Sequence, residues 1–371
     1  MFKNAVLIIA AALCSLSVFA LDIDNTQLPE LNRQRVRKQI IVPDIMGMKT
    51  LKCDFHMHTV FSDGVVWPEA RILEAWMDGL DAVAITDHIE KHPSKEFIVA
   101  DDDAAYKVAL PAAVQHDILL VKASEITRDA EHGHYNALFV KNSSALEKEN
   151  FFDAVEEAVN QGAFIQYNHP GWKAQQPDET RWLPVAEKVF TNGWMHGIEV
   201  FNSSEWYPKV LGWCIEKNLA VMANSDMHGI VMQQYDTVAG QRPMTLVFAE
   251  DRSLDAIKAA LFAGRTAGWF GEHVAGKKEI LEALFMAVVT VSPQHVMDRD
   301  GNRIFHVANK SDIVLKVASP SAGWGATKIP ARSAVMLKAP KGAESVTVNV
   351  VNFHTNMNET LEVELKIPEK K

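Results

Sequence analysis

Cysteine is scarce: three in 371 residues, one of which, Cys14, falls in an apolar N-terminal run. Cys53 and Cys214 sit among apolar neighbours, which suits small buried hydrophobes and leaves no disulfide framework, so stability must come from the core. Positive charge is in deficit too, since 37 Lys and Arg against 47 Asp and Glu give a formal net charge of −10. That balance argues against an extended nucleic-acid surface and gives no electrostatic attraction to an anionic membrane. An anionic substrate would have to be captured locally, by metal ions or a few placed cations. No glycine-rich phosphate loop occurs, no serine or cysteine arrangement suits covalent catalysis, and no internal repeat or low-complexity tract is present.

What is there begins with residues 5–20, "AVLIIAAALCSLSVFA", preceded by Lys3. A short basic region, an apolar region and the small Ala20 after Val18 predict a signal peptide over 1–20, cleaved before Leu21, and hence a periplasmic or secreted chain without a membrane anchor. The run is short for an uncleaved spanning helix. Leu13 is too large for the small residue that a lipoprotein site at Cys14 would require. Residues 21–49 read as an N-terminal extension, whose "NRQRVRKQ" is a solvated basic arm.

Apolar runs then recur at "LKCDF", "AVAIT", "ILLVKASE", "YNALFV", "AFIQY", "GIEVF" and "AVMANS". Helix-like segments separate several of them. Between Pro68 and Leu80, for example, Ile72, Trp76 and Leu80 recur at i, i+4 and i+8 behind a proline suited to a first helical turn. Continuous apolar strands alternating with amphipathic helices predict an α/β fold with a mostly parallel sheet, and seven runs suggest a β/α barrel over 50–280. Beyond residue 280 the pattern changes to short alternating runs such as "IVLKVAS", "SVTVNVV" and "TLEVELKI", broken by Pro, Gly, Asn and Ser. They predict a small accessory β-sandwich over 281–371. Its His295, His306 and His354 are isolated.

Polar residues collect at the ends of the apolar runs. His56 and His58 follow the first; Asp87 and His88 follow "AVAIT"; Glu125 ends "VKASE"; His169 follows "AFIQYN"; Asp226 and His228 follow "AVMANS". In a β/α barrel the catalytic groups gather at the carboxyl ends of the strands. His134 begins its run, but a hairpin pairing 118–126 with 134–140 would return it to Glu125. His132 is its register competitor, and His134 is preferred because "HYNALFV" continues as the strand. With Asp63, nine candidates converge on one rim: His56, His58, Asp63, His88, Glu125, His134, His169, Asp226 and His228. Buried charge on this scale needs metal or partners. Imidazole with carboxylate and no thiolate suits zinc, manganese or iron, and nine ligands suit two or three ions sharing a carboxylate.

The stretches "DFHMHTVFSDG", "ITDH", "SEIT", "GHYNALF", "NHPGW" and "NSDMHG", in this order, resemble the motifs of the PHP (polymerase and histidinol phosphatase) superfamily of metal-dependent phosphoesterases, over roughly residues 50–270. The resemblance implies a distorted seven-stranded, TIM-like barrel with a trinuclear site. One ion would sit on His56, His58, Glu125 and Asp226, a second on Asp63, His88 and His228, and a third on Glu125, His134 and His169, with Glu125 bridging. Clustered divalent ions lower the pKa of a bound water toward neutrality and neutralise oxygens that gain charge. The implied reaction is therefore hydrolysis of small phosphate mono- or diesters, nucleotides included, by a metal-bound hydroxide, with Asp226, His228 and Glu125 at the reacting centre. Asp87 either orients a ligand or moves a proton there, or caps the next turn.

Substrate contacts are less legible. Arg128 is the cation nearest the site in sequence, with Lys91, Arg242 and Arg265 as looser candidates for phosphate contact. Trp67, Trp172 and Trp206 lie near rim motifs and could stack on a base or an aryl leaving group. Asn202 and Glu205 are polar rim residues without an assigned ligand role. Two other classes compete: hydrolysis of an amide or lactone by the same kind of cluster, and a non-catalytic binding module, whose expected mark is eroded ligands.

Overall fold

Every one of the seven apolar runs is a strand, because each is buried from end to end or nearly so and can satisfy its backbone only in a ladder. The computed structural model describes residues 24–25, 28–32 and 35–369. The expected signal peptide and its cleavage point lie outside the described residues. Two compact units divide between Val36 and Arg37. In the first, the described residues hold one 3-10 turn, Pro29–Leu31.

In the second, the seven runs are β1 (Lys49–Asp54), β2 (Ala82–Ile85), β3 (Leu119–Thr127), β4 (His134–Leu138), β5 (Phe164–Tyr167), β6 (Met195–Asn202) and, beyond the two-residue β7 (Glu205–Trp206), β8 (Ala220–Asn224). They pair in the order β1-β2-β3-β4-β5-β6-β8, parallel except for the antiparallel β4. The predicted hairpin is present: Thr127 lies opposite His134, and Glu125 opposite Asn136. Helices α1 (Pro68–Met77), α2 (Ala104–Gln115), α3 (Phe151–Asn160), α4 (Pro184–Thr191) and α5 (Pro208–Glu216) lie between these strands in sequence. Pro68 opens α1 as expected, and Ile72 is buried, but the helix stops at Met77. Gly79 takes a left-handed φ of 83°, and a Cβ there would meet the Lys38 carbonyl oxygen at 2.5 Å, so the chain turns before Leu80 and buries it from a turn.

The expected seven-stranded barrel is met only in part. β9 (Met244–Ala249) adds antiparallel to the outer side of β1, and β10 (Thr266–Phe270) to β9. Among the described residues no backbone ladder joins β8 to either. Instead Thr245 and Thr266 reach across: the Ala223 and Val221 amides donate to their hydroxyls at 3.0 Å each, and Thr245 Oγ1 donates back to the Ala223 carbonyl at 2.9 Å.

β11 (His273–Gly276) follows β10, and the short α6 (Val231–Gln234), α7 (Leu254–Phe262) and α8 (Lys278–Val288) are the remaining α-helices among the described residues. The C-terminal strands are β12 (Val289–Val291), β13 (Val296–Met297), β14 (Arg303–Asn309), β15 (Leu315–Ser319), β16 (Trp324–Ile329), β17 (Ala334–Ala339), β18 (Ser345–Asn356) and β19 (Glu359–Lys366). Burial alternates along β14, β15 and β19, as the period-two pattern requires. β12, β13 and β17 pair with β14 in one sheet; β16, β15, β18 and β19 form part of the other. That second sheet is continuous with the N-terminal one, since β18 pairs parallel with β11. Phe305 and Val307 of β14 share one buried cluster with Val348 and Val350 of β18 and with Leu284 and Phe285 of α8.

Candidate metal centre

The strands that carry the candidate ligands also carry polar residues inward. Glu125 on β3, Asn136 on β4, Gln166 on β5, Glu199 on β6 and Asn224 on β8 are each fully buried. They bond to one another: Asn224 Nδ2 donates to Gln166 Oε1 at 3.1 Å and to Glu199 Oε1 at 2.9 Å, and Gln166 Nε2 to Asn168 Oδ1 at 2.8 Å. Asn168 Nδ2 in turn donates to Glu125 Oε1 and Asn136 Oδ1. Unpaired, each group would cost about 1–3 kcal/mol to bury, so this network is what makes a polar floor tolerable beneath the site.

All nine candidate ligands stand together on that floor. The loops holding them are pinned by single bridges, Met57 to Met227 and His88 to Glu125. The buried Arg71 of α1 clasps the carbonyl oxygens of His58, Met227 and Gly229 at 2.7–2.9 Å, tying the loop after β1 to the loop after β8. Gly64 is required there because a Cβ would lie 2.6 Å from the His58 carbonyl carbon. Two candidates, His169 at φ 29° and Asp226 at φ 52°, hold backbone conformations that non-glycine residues avoid. Strain of that kind persists only where surrounding structure enforces it and gathers at functional sites.

Four groups of ligand atoms are close enough to share an ion: His58, Asp63, His88 and His228; His56, His58 and Glu125; His56, His169 and Asp226; Glu125, His134 and His169. Two atoms bound tetrahedrally to one ion at ~2.1 Å lie ~3.4 Å apart. His88 Nε2 is 3.4 Å from Asp63 Oδ1, and His58 Nε2 is 3.3 Å from Glu125 Oε2. His169 Nε2 stands 3.9 Å from both Glu125 Oε1 and Asp226 Oδ2, too far for a hydrogen bond but a fitting span for a shared ion. The donor set is imidazole and carboxylate throughout. These residues therefore fit divalent transition-metal ions, and Glu125 belongs to two groups, as a bridge requires. His56, His58 and His169 each join one group more than the resemblance implies.

The protonation pattern points the same way. Burial pulls the His56 imidazole down, yet Asp226, Glu199 and Glu125 outweigh it and hold its pKa well above the ordinary histidine value. His88 likewise overcomes burial and is raised to about 10 by Glu125 and Asp63, while burial with His88 nearby lowers His58 to about 3. Glu125 and Asp226 overcome their burial and fall well below the carboxylate range because imidazoles surround them. The carboxylates demand cations, and protons on His56 and His88 supply them where ions do not.

Seven of the ligands open on a cavity of about 470 Å³, whose other walls include Lys91, Trp172, Asn202, Ser203, Glu205 and Gln234. That volume suits a small organic substrate. Lys91 donates to Asp63 Oδ2 at 2.5 Å, and Trp172 stands edge-on to His169 with ring centroids 5.3 Å apart. Arg128, in contrast, does not line the cavity: its guanidinium is held by Glu90 and by the Thr127 and Lys148 carbonyls. The place nearest the ligands belongs to Lys91, which sequence proximity ranked lower. Arg242 is fully buried and bonds Asp54 Oδ2 at 2.6 Å, and Arg265 donates to the Phe248 carbonyl, so neither lines the cavity. Trp67 packs on Phe61, and Trp206 on Phe270 and His354.

The Asp87 carbonyl accepts from the Glu125 amide at 3.1 Å, while its carboxylate bonds no candidate ligand directly. It accepts from the Thr59 amide at 2.7 Å, Thr59 Oγ1 at 2.5 Å and Ser62 Oγ at 2.6 Å, and burial raises its pKa. It thus holds the turn between His58 and Asp63, and through Ser62 Oγ, 3.4 Å from His58 Nδ1, it reaches a candidate ligand, the indirect contact that an orienting role needs. Glu199 is the residue that reading the run ends misses. Its signal was a carboxylate in the middle of "GIEVF", where an apolar strand has no other use for one.

No protein-family model matches the chain, and no curated protein does. Among solved structures, a two-domain protein from Bacteroides vulgatus ATCC 8482, described as containing a predicted PHP-like metal-dependent phosphoesterase, superposes with a TM-score of 0.85 at 38% identity, covering 90% of this chain and 100% of its own. A proposed metal-dependent phosphoesterase from Bifidobacterium adolescentis ATCC 15703 gives a TM-score of 0.39 at 17% identity over 48% of this chain and 87% of its own, too low to carry an argument. The first likeness spans both the strands that hold the ligands and the C-terminal sheets, and the chain belongs to the family of PHP-like metal-dependent phosphoesterases.

Proposed function

We propose that this chain is an exported hydrolase of small phosphate mono- or diesters that works with two or three bound divalent ions, zinc, manganese or iron. The observation that supports it most is the interlocking of four ligand groups, linked through His56, His58, Glu125 and His169, at the floor of one cavity. Bound divalent ions would there activate a water and neutralise phosphoryl oxygens. The chain's own residues do the rest. Glu125 and Asp226 hold the imidazoles of four strand ends in register, Arg71 and Asp87 fix the two loops, and the strained His169 and Asp226 are held at the cavity floor. Lys91 is the cation placed for a phosphate oxygen, and Trp172 the flat wall for a leaving group. Asp226, His228 and Glu125 line the cavity where the reacting phosphorus would lie. Export rests on the order of residues 1–20 alone, and a closed barrel on the threonine junction of β8.

The test is a panel of a phosphomonoester, a phosphodiester, nucleotides and an acyl amide on metal-reconstituted protein. Phosphate esters are expected to turn over and the amide not to. Amide hydrolysis without phosphate-ester hydrolysis would overturn the reading.

A further inference from the structure

Glu199 lies on β6 with no exposed surface and receives five hydrogen bonds. His56 Nδ1 at 2.9 Å, Asn224 Nδ2 at 2.9 Å and Gln166 Nε2 at 3.2 Å converge on Oε1. The His169 amide at 2.9 Å and Asn202 Nδ2 at 2.8 Å converge on Oε2. With two amide groups already donating to it, Oε1 is an acceptor, so His56 donates from Nδ1 and leaves Nε2, 3.2 Å from Asp226 Oδ1, as the nitrogen that would face an ion. The other oxygen holds the backbone of His169, whose φ of 29° needs such a restraint. His56 comes from the end of β1 and His169 from the end of β5, yet both belong to one ligand group with Asp226.

We infer that Glu199 is the positioning residue of the ion held by His56, His169 and Asp226: it fixes the tautomer of one imidazole and the backbone of the other, and through Asn202 it ties that ion to the cavity wall. This rests on the reading of the cluster as a metal centre. An orienting partner of this kind commonly changes metal affinity by ~10–100-fold.

Glu199→Gln keeps the shape but turns one acceptor into a donor, which must face either the two amides and His56 or the His169 amide. Metal-free protein is titrated with zinc against a chromophoric chelator. The variant is expected to lose at least ~10-fold in affinity at the ion on His56, His169 and Asp226, with the ion on Asp63, His88 and His228, whose group contains neither imidazole, bound as in the wild type. A variant that binds every ion with wild-type affinity overturns the inference alone, whereas wild-type protein that takes up no zinc overturns the proposed function and this inference with it. If the variant does not fold, nitrogen NMR of the histidines in zinc-loaded wild-type protein decides. A proton on His56 Nδ1 supports the role of Glu199, and a proton on Nε2 contradicts it.

Discussion

Replacing Asp226 with alanine is expected to lower the rate of phosphate-ester hydrolysis by at least ~10³-fold, about 4 kcal/mol of transition-state stabilisation. Asp226 Oδ1 lies 3.0 Å from His58 Nε2 and 3.2 Å from His56 Nε2, and Oδ2 faces His169. Its removal leaves three imidazoles, two from the end of β1 and one from the end of β5, without their common carboxylate. The side chain touches imidazoles at the cavity rather than the apolar core, so the effect should fall on turnover more than on KM and leave the near-ultraviolet circular dichroism intact. Wild-type kcat in a folded Asp226→Ala variant would remove Asp226 from the reacting centre.

The second large effect concerns ion number. Glu125 joins two of the four ligand groups, and His134 joins one. Glu125→Gln is therefore expected to disturb two ions and His134→Ala only one, counted by elemental analysis of protein equilibrated with limiting metal. His169 looks from its place in the sequence like a single-ion ligand, but it lies in two groups, which makes His134 the sharper control. Loss of the same number of ions in both variants would contradict a bridging Glu125.

What could be read from the sequence was whatever depends on period and on position along a run. Seven mainly apolar runs became seven strands because a strand covered on both faces turns neither of them to water. The pairing of β3 with β4 brought His134 beside Glu125 for the reason that hairpin geometry gives, that the start of one strand lies against the end of its partner. What depends on contacts across the fold was not legible. Glu199 and Arg71 act on the ligands from β6 and α1, and neither stands at the end of a run. Arg128 is three residues from Glu125, but the chain leaves the strand there and delivers its guanidinium to Glu90. Lys91, by contrast, follows the His88 loop back over Asp63. The junction of β8 with β9 and β10 rests on two threonine hydroxyls, and nothing in the pattern of apolar residues marks them.

The central claim is that the cluster on the cavity floor works through divalent ions. It is tested most directly by the rate of phosphomonoester hydrolysis after chelation and dialysis, followed by return of zinc, manganese or iron. The account predicts loss of activity on stripping and its recovery with at least one of these ions at two or three per chain; undiminished hydrolysis by metal-free protein would contradict it.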